Sequence, residues 1–164
     1  MHLFDVDIPG KVTFKESDYL TAGNEPTVFE MEDGWKCGLG ICFDLRFPEL
    51  ALAYAKAGCN LLIYPSAFTS ATGEKYFELL QRARAVDTQS FVVTCAPALN
   101  TEHSFMVHGC SAVSRPDGIV LTRIDGNHEE MLVDDLDINM VELERRSIPV
   151  SLSKIGKKYL IKEN

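Results

Sequence analysis

The chain has 164 residues, 46% hydrophobic and 24% charged, the size and make-up of one globular domain with its own core. Its formal charge of −8 argues against a nucleic-acid footprint, and no stretch is long and apolar enough for a transmembrane helix. The opening MHLFDVDIPGK lacks the basic and apolar regions of a signal peptide, and five cysteines without a CxxC pair argue against a disulfide framework or a structural zinc site. Reduced thiols in the cytoplasm are the expectation.

In chain order, HLFDVDIPGKVTFKES shows little periodicity and reads as a long ordered loop. TVFEM and KCGLGIC read as two strands joined by the EDG turn. FPELALAYAKAG reads as a helix, with Pro48 in the first turn, Glu49 at the positive end of the dipole and Gly58 at the stop. NLLIYP lacks polar alternation, as a strand covered on both faces should. GEKYFELLQRARAVDTQ is an amphipathic helix that predicts Phe77, Leu80, Ala83 and Val86 on its buried side. Arg82 and Arg84 point to different faces of it, one solvated and the other buried against Asp87 or a carbonyl.

SFVVTCAP is the next strand, and MVHGCSAVS and IVLTRI form a hairpin about the turn RPDG. EMLVDDLDI predicts another strand, and NMVELERRSIP a short last helix ended by Pro149. The whole is an α/β chain with a mixed sheet and helices on one face. No linker divides it, so residues 1–164 form one domain, with 151–164 as a basic C-terminal arm, solvated or touching another subunit.

Chemistry concentrates in GLGICFDLRFPEL, residues 38–50. A nucleophilic thiol needs exposure, activation and a donor for the oxyanion it creates. Cys42 stands where a strand delivers it to the carboxyl edge of the sheet, the usual place for sites in open α/β folds. Gly38 and Gly40 would admit a close backbone or substrate, and the Phe43 N–H would be the first donor beyond the thiol. The bland alternative is a core thiol. Arg46 and Glu49, at i and i+3 about a helix start, are expected to form an ion pair that fixes the elbow.

The same segment resembles the nucleophile region of the carbon-nitrogen hydrolase, or nitrilase, family, in which G-x-x-I/V-C-x-D-x-R-F-P-E surrounds the acyl-forming cysteine. HLFDVDIPGKVTFKES, NLLIYPSAF, ELLQRARAVDTQSFVV and HGCSAVSRPDGIVL resemble other family segments in the right order, so the likeness runs from His2 to about Pro149. The nearest look is to the omega-amidase-like branch, which hydrolyses ω-amides of dicarboxylic acids such as 2-oxoglutaramate and succinamate. The resemblance implies an α-β-β-α sandwich that pairs with a second subunit as a homodimer or higher oligomer. It also implies a Glu-Lys-Cys triad and no metal or organic cofactor. Cys42 matches the nucleophile, the Phe43 N–H the oxyanion donor, and Glu16 a second glutamate that orients substrate and lysine. Thr69, Thr72 and Tyr76, on the loop after a central strand, would line the substrate pocket.

In that resemblance the catalytic lysine belongs just before His2, and the general-base glutamate further upstream. The expectation is therefore an N-terminally truncated portion of the family domain. It would be a fragment of a full amidase, half of a split enzyme completed by a separate N-terminal polypeptide, or a paralogue that binds without catalysis. Lys11 and Lys15 are the nearest replacements for the lysine. A papain-like Cys-His hydrolase is the enzymatic rival. It would bring His108 to Cys42, ahead of His103 and His128, whereas the amidase reading leaves His108 a structural or site-wall residue.

Overall fold

The computed structural model describes residues 1–9, 12–99, 102, 106–155 and 157, with Ile8 and Val12 described by their backbone alone. Lys11, His103 and most of the basic arm lie outside the described residues. The N-terminal stretch is not the expected loop. Strands β1 (Asp5–Ile8) and β2 (Val12–Lys15) pair antiparallel, with Asp5 opposite Lys15 and Ile8 opposite Val12. The signal is in DVDI and VTFK, which alternate polar and apolar residues on either side of Pro-Gly; each is only four residues long, too short to stand out.

The main sheet has six strands in the order β3 (Thr27–Glu30), β4 (Lys36–Leu39), β5 (Leu61–Pro65), β6 (Phe91–Cys95), β7 (Ala112–Ser114) and β8 (Val120–Arg123). Strands β4, β5 and β6 run parallel, linked by α1 (Pro48–Lys56) and α2 (Ser70–Thr88), and the outer pairs are antiparallel. This is the mixed sheet the sequence predicts. Parallel neighbours need long crossovers, and the two helices supply them.

Helices α1 and α2 cover one face, where Leu50, Ala51, Tyr54, Leu62, Tyr64, Phe77, Ala85 and Val92 form a buried cluster. The other face buries Cys37, Leu61, Phe91 and Val113 beneath Val141 of α3 (Asn139–Ser147). Adjacent residues in β5 (Leu61, Leu62) and in β6 (Phe91, Val92) thus serve opposite clusters, as a pleated strand requires. Helices on both faces correct the one-sided expectation. A last short helix, α4 (Val150–Ser153), opens the basic arm.

Gly38 and Gly40 do admit close approach, but of the core rather than a substrate. A Cβ at Gly38 would stand 2.5 Å from the Tyr54 ring, and one at Gly40 2.5 Å from the Tyr64 ring. The strand expected in EMLVDDLDI does not form. Met131 and Val133 are 86% and 84% exposed, while Leu132 and Leu136 pack on the second cluster and tie this stretch to that face.

Candidate active site

Strand β4 ends at Leu39, and a tight helical turn, Cys42–Arg46, intervenes before α1. Cys42 opens that turn with φ +47, in the left-handed region that costs a residue with a Cβ roughly 1–2 kcal/mol. Such strain persists only where the surroundings dictate it, and it marks a site hypothesis. Here Arg84, buried on α2, supplies much of the constraint. Its Nε donates to the Leu45 carbonyl and Nη2 to the Arg46 carbonyl, both at 3.0 Å, while Nη1 reaches Asp87 Oδ2 at 3.1 Å.

The elbow is therefore not held as expected. Among the described residues there is no Arg46–Glu49 ion pair; Glu49 faces solvent in the first turn of α1. Arg46 instead lays its guanidinium over Phe68, 4.9 Å from the ring centre, and Tyr76, at 5.2 Å. Aromatic faces compete well for a guanidinium, and Glu49 has open water.

The turn opens into a cavity of about 600 Å³ lined by Cys42, Glu16, Arg46, Ala67, Thr69 and Thr72 among mostly apolar neighbours. Its charged lining, among the described residues, is Glu16 and Arg46. Burial pushes the Cys42 thiol up, and the Glu16 carboxylate adds to this; backbone amides of Ala67 and Phe43 and the charge of Arg46 pull the other way without prevailing. The two amides that pull it down belong to different segments, the loop after β5 and the residue after the thiol. Glu16 is fixed by accepting the Phe4 N–H at 2.7 Å, which closes the hairpin onto the site.

Of the other expected residues, Thr69 and Thr72 reach the cavity as the cap and first turn of α2, their hydroxyls 2.8 Å apart, rather than as loop residues. Thr69 spaced three before Thr72 is the cap signal that the longer loop reading passed over. Tyr76 does not line the cavity; Arg46, which does, lies over its ring. His108 lines a separate cavity of about 320 Å³ with Glu78, Cys110 and Arg123, its ring edge-on to Phe77 at 5.9 Å. Lys15 is exposed on the hairpin beside Asp5 and does not line the Cys42 cavity. The sequence reading passed over Asp44, which is 2% exposed beneath the turn. Its signal was an acidic residue two places after the thiol, between the apolar Phe43 and Leu45.

A mixed α/β sheet with a cysteine in a left-handed turn just beyond a sheet strand, opening on a cavity, is the arrangement the sequence motifs point to. The chain belongs to the carbon-nitrogen hydrolase family, whose sequence profile matches residues 1–146. It is 45% identical over 160 residues to the Arabidopsis thaliana protein "Omega-amidase, chloroplastic", covering 97% of this chain and 42% of that one. It is 45% identical over 161 residues to Omega-amidase NIT2 of Mus musculus, covering 98% of this chain and 58% of that one.

Among solved structures it superposes on the C. elegans NitFhit protein with a TM-score of 0.85 at 37% identity, covering 98% of this chain and 39% of that one. Saccharomyces cerevisiae Nit3, of the nitrilase superfamily, gives a TM-score of 0.78 at 40% identity, covering 83% and 49%. The chain spans about half the length of the curated relatives it matches, 42% and 58% in the two named. The omega-amidase-like branch expected from the motifs is the branch these relatives represent.

Proposed function

We propose that this protein hydrolyses small carboxyamides, such as the ω-amides of dicarboxylic acids, through a thioester on Cys42. The Cys42 sulfur attacks the amide carbon, the carbonyl oxygen gathers charge beside the Phe43 and Ala67 amides, and ammonia leaves with one added proton. Water then adds to the thioester, releasing the carboxylic acid and restoring the thiol. The sum is amide plus water to acid plus ammonia, with no electron transferred. The observation that carries this reading is the left-handed Cys42 opening into a cavity that Phe43 and Ala67 also line and that is large enough for a small acyl group.

Arg46 is the cationic lining residue, and a substrate with a carboxylate at its far end would place it there; among the described residues no hydrogen bond claims its guanidinium, which stacks on Phe68 and Tyr76 with donors to offer two carboxylate oxygens. Glu16 orients the amide from the hairpin side. The family resemblance adds a lysine and a general-base glutamate to this chemistry. With the thiol pushed up rather than down, supply of those groups decides how fast the site turns over. The names of the relatives support the amidase class, and the separation of His108 from the Cys42 cavity disfavours a papain-like pair. We also read the protein as an oligomer of the cytoplasm, a setting that suits five free thiols.

The test is ammonia release from succinamate by the purified chain and by Cys42→Ala, together with intact-mass detection of an acyl group on Cys42. Release or acylation that vanishes in Cys42→Ala is the expected result. Release that survives the substitution, or neither signal in the native chain, overturns the proposal.

A further inference from the structure

Asp44 carries a buried carboxylate that the proposed chemistry does not use. Each of its oxygens is claimed by a different pair of donors. Oδ1 accepts the His2 backbone N–H and lies against His2 Nδ1, both at 2.8 Å. Oδ2 accepts the Ile41 N–H and the Met1 nitrogen, both at 2.9 Å. Burial pushes this carboxyl up, yet the amides of His2 and Ile41 with the other donors hold it below the usual carboxylate range. An ionised carboxylate only accepts, so Nδ1 of His2 donates.

The donors come from two segments far apart in sequence. One is the entering chain at residues 1 and 2. The other is Ile41, the residue immediately before the nucleophile. The far side of the turn is held as well, because the His2 ring stacks flat on Phe47, 3.5 Å between centres and 7° between planes. Phe47 in turn meets the Phe43 ring edge-on at 5.1 Å. One carboxylate and one imidazole thus grip both flanks of the Cys42–Arg46 turn. A second cavity, of about 400 Å³, brings Met1, His2 and Asp44 to the same wall as Glu16 and Cys42.

We propose that Asp44 is a positioning residue: its carboxylate locks residues 1 and 2 to the turn that holds Cys42, and so fixes the direction in which the thiol enters the cavity. Its effect on turnover rests on the amidase reading; its effect on the thiol does not. Asp44 lines no part of the main cavity, so its loss should leave substrate binding alone. Freed of the clamp, the turn relaxes from its left-handed start, and the sulfur loses the Phe43 and Ala67 amides that favour the thiolate.

The test compares native protein with Asp44→Asn and His2→Phe. Asp44→Asn keeps the shape but sets an NH2 group against N–H donors on one side. His2→Phe keeps the backbone bond and the stack on Phe47 but removes the ring N–H. Iodoacetamide labelling of Cys42, read by peptide mass spectrometry against exposed Cys95 as internal reference, reports the thiol; ammonia release from succinamate reports turnover. Expected for Asp44→Asn are a kcat lowered about tenfold or more with KM within about twofold, and a Cys42/Cys95 labelling ratio lowered at least about threefold. His2→Phe follows in the same direction, less strongly.

A native labelling ratio in folded Asp44→Asn overturns the proposal; should that variant not fold, a native ratio in His2→Phe does so. If no form releases ammonia or carries an acyl group on Cys42, the amidase reading fails while the labelling ratio still decides the role of Asp44.

Discussion

At the scale of single residues, Cys42 combines a strained backbone with an unfavourable electrostatic setting. A residue with a Cβ at φ +47 resists that conformation, whereas glycine adopts it freely. Cys42→Gly should therefore be more stable than Cys42→Ala by about 1 kcal/mol in urea denaturation. Equal midpoints would mean the turn is not strained. The thiol itself is raised above its ordinary value of 9.0, by burial first and by Glu16 next, so its alkylation should keep accelerating as pH climbs past that value. Glu16→Gln removes one upward cause and should shift the labelling profile to lower pH. Arg46→Met removes a downward cause and should shift it to higher pH.

The same shift has a stability counterpart. A group whose folded pKa is raised contributes fully at pH below its unfolded value and loses that contribution as pH rises through the folded one. The native chain should thus weaken in the alkaline range relative to Cys42→Ala. A constant difference between the two across that range would contradict the shift.

At the scale of elements, legibility followed the strength of local periodicity. The β4–α1–β5–α2–β6 order could be read because Pro48 and the apolar runs LLIY and FVV mark its elements plainly. The hairpin β1–β2 was missed because its alternation lasts four residues a side, and EMLVDDLDI was over-read because alternation without a neighbouring strand makes no ladder. On α2 the apolar pattern misplaced the buried face. Val86 is 51% exposed, while Gln81 and Arg84 are buried because each satisfies backbone carbonyls that the sequence does not display. The placement of Cys42 on a turn that lines a cavity was legible from its motif, and contacts decided by tertiary packing were not. Arg46 stacking on Phe68 instead of pairing with Glu49 is such a case.

That buried arginine gives a prediction belonging to α2 and the elbow together. Arg84→Met keeps bulk but strands two carbonyls, at a cost of about 2–3 kcal/mol. Arg84→Lys should not restore it, because a single ammonium cannot fork between the Leu45 and Arg46 carbonyls. Chemical denaturation of the two variants checks this, and a Lys variant of native stability would show that charge rather than geometry holds the turn.

At the scale of the whole molecule, the two buried clusters lie on opposite faces of one sheet, yet both draw on β5 and β6. These central strands are paired over five residues, Leu61 with Phe91 through Pro65 with Cys95. One face cannot lose its packing without loosening strands that carry the other. Trp35, the single tryptophan, packs edge-on to Phe91 at 5.9 Å on the α3 face, whereas α1 and α2, which hold most of the helix, pack on the other. Its fluorescence therefore reports one face, and far-UV circular dichroism mainly reports the opposite one. In urea the two curves should superimpose with a common midpoint, because cooperative unfolding of a shared sheet makes different probes coincide. An earlier tryptophan transition would mean that α3 and the 129–137 stretch peel away first. The sheet would then be stabilised chiefly from the side that carries Arg84, Asp44 and the Cys42 turn, so that the site outlasts the opposite face.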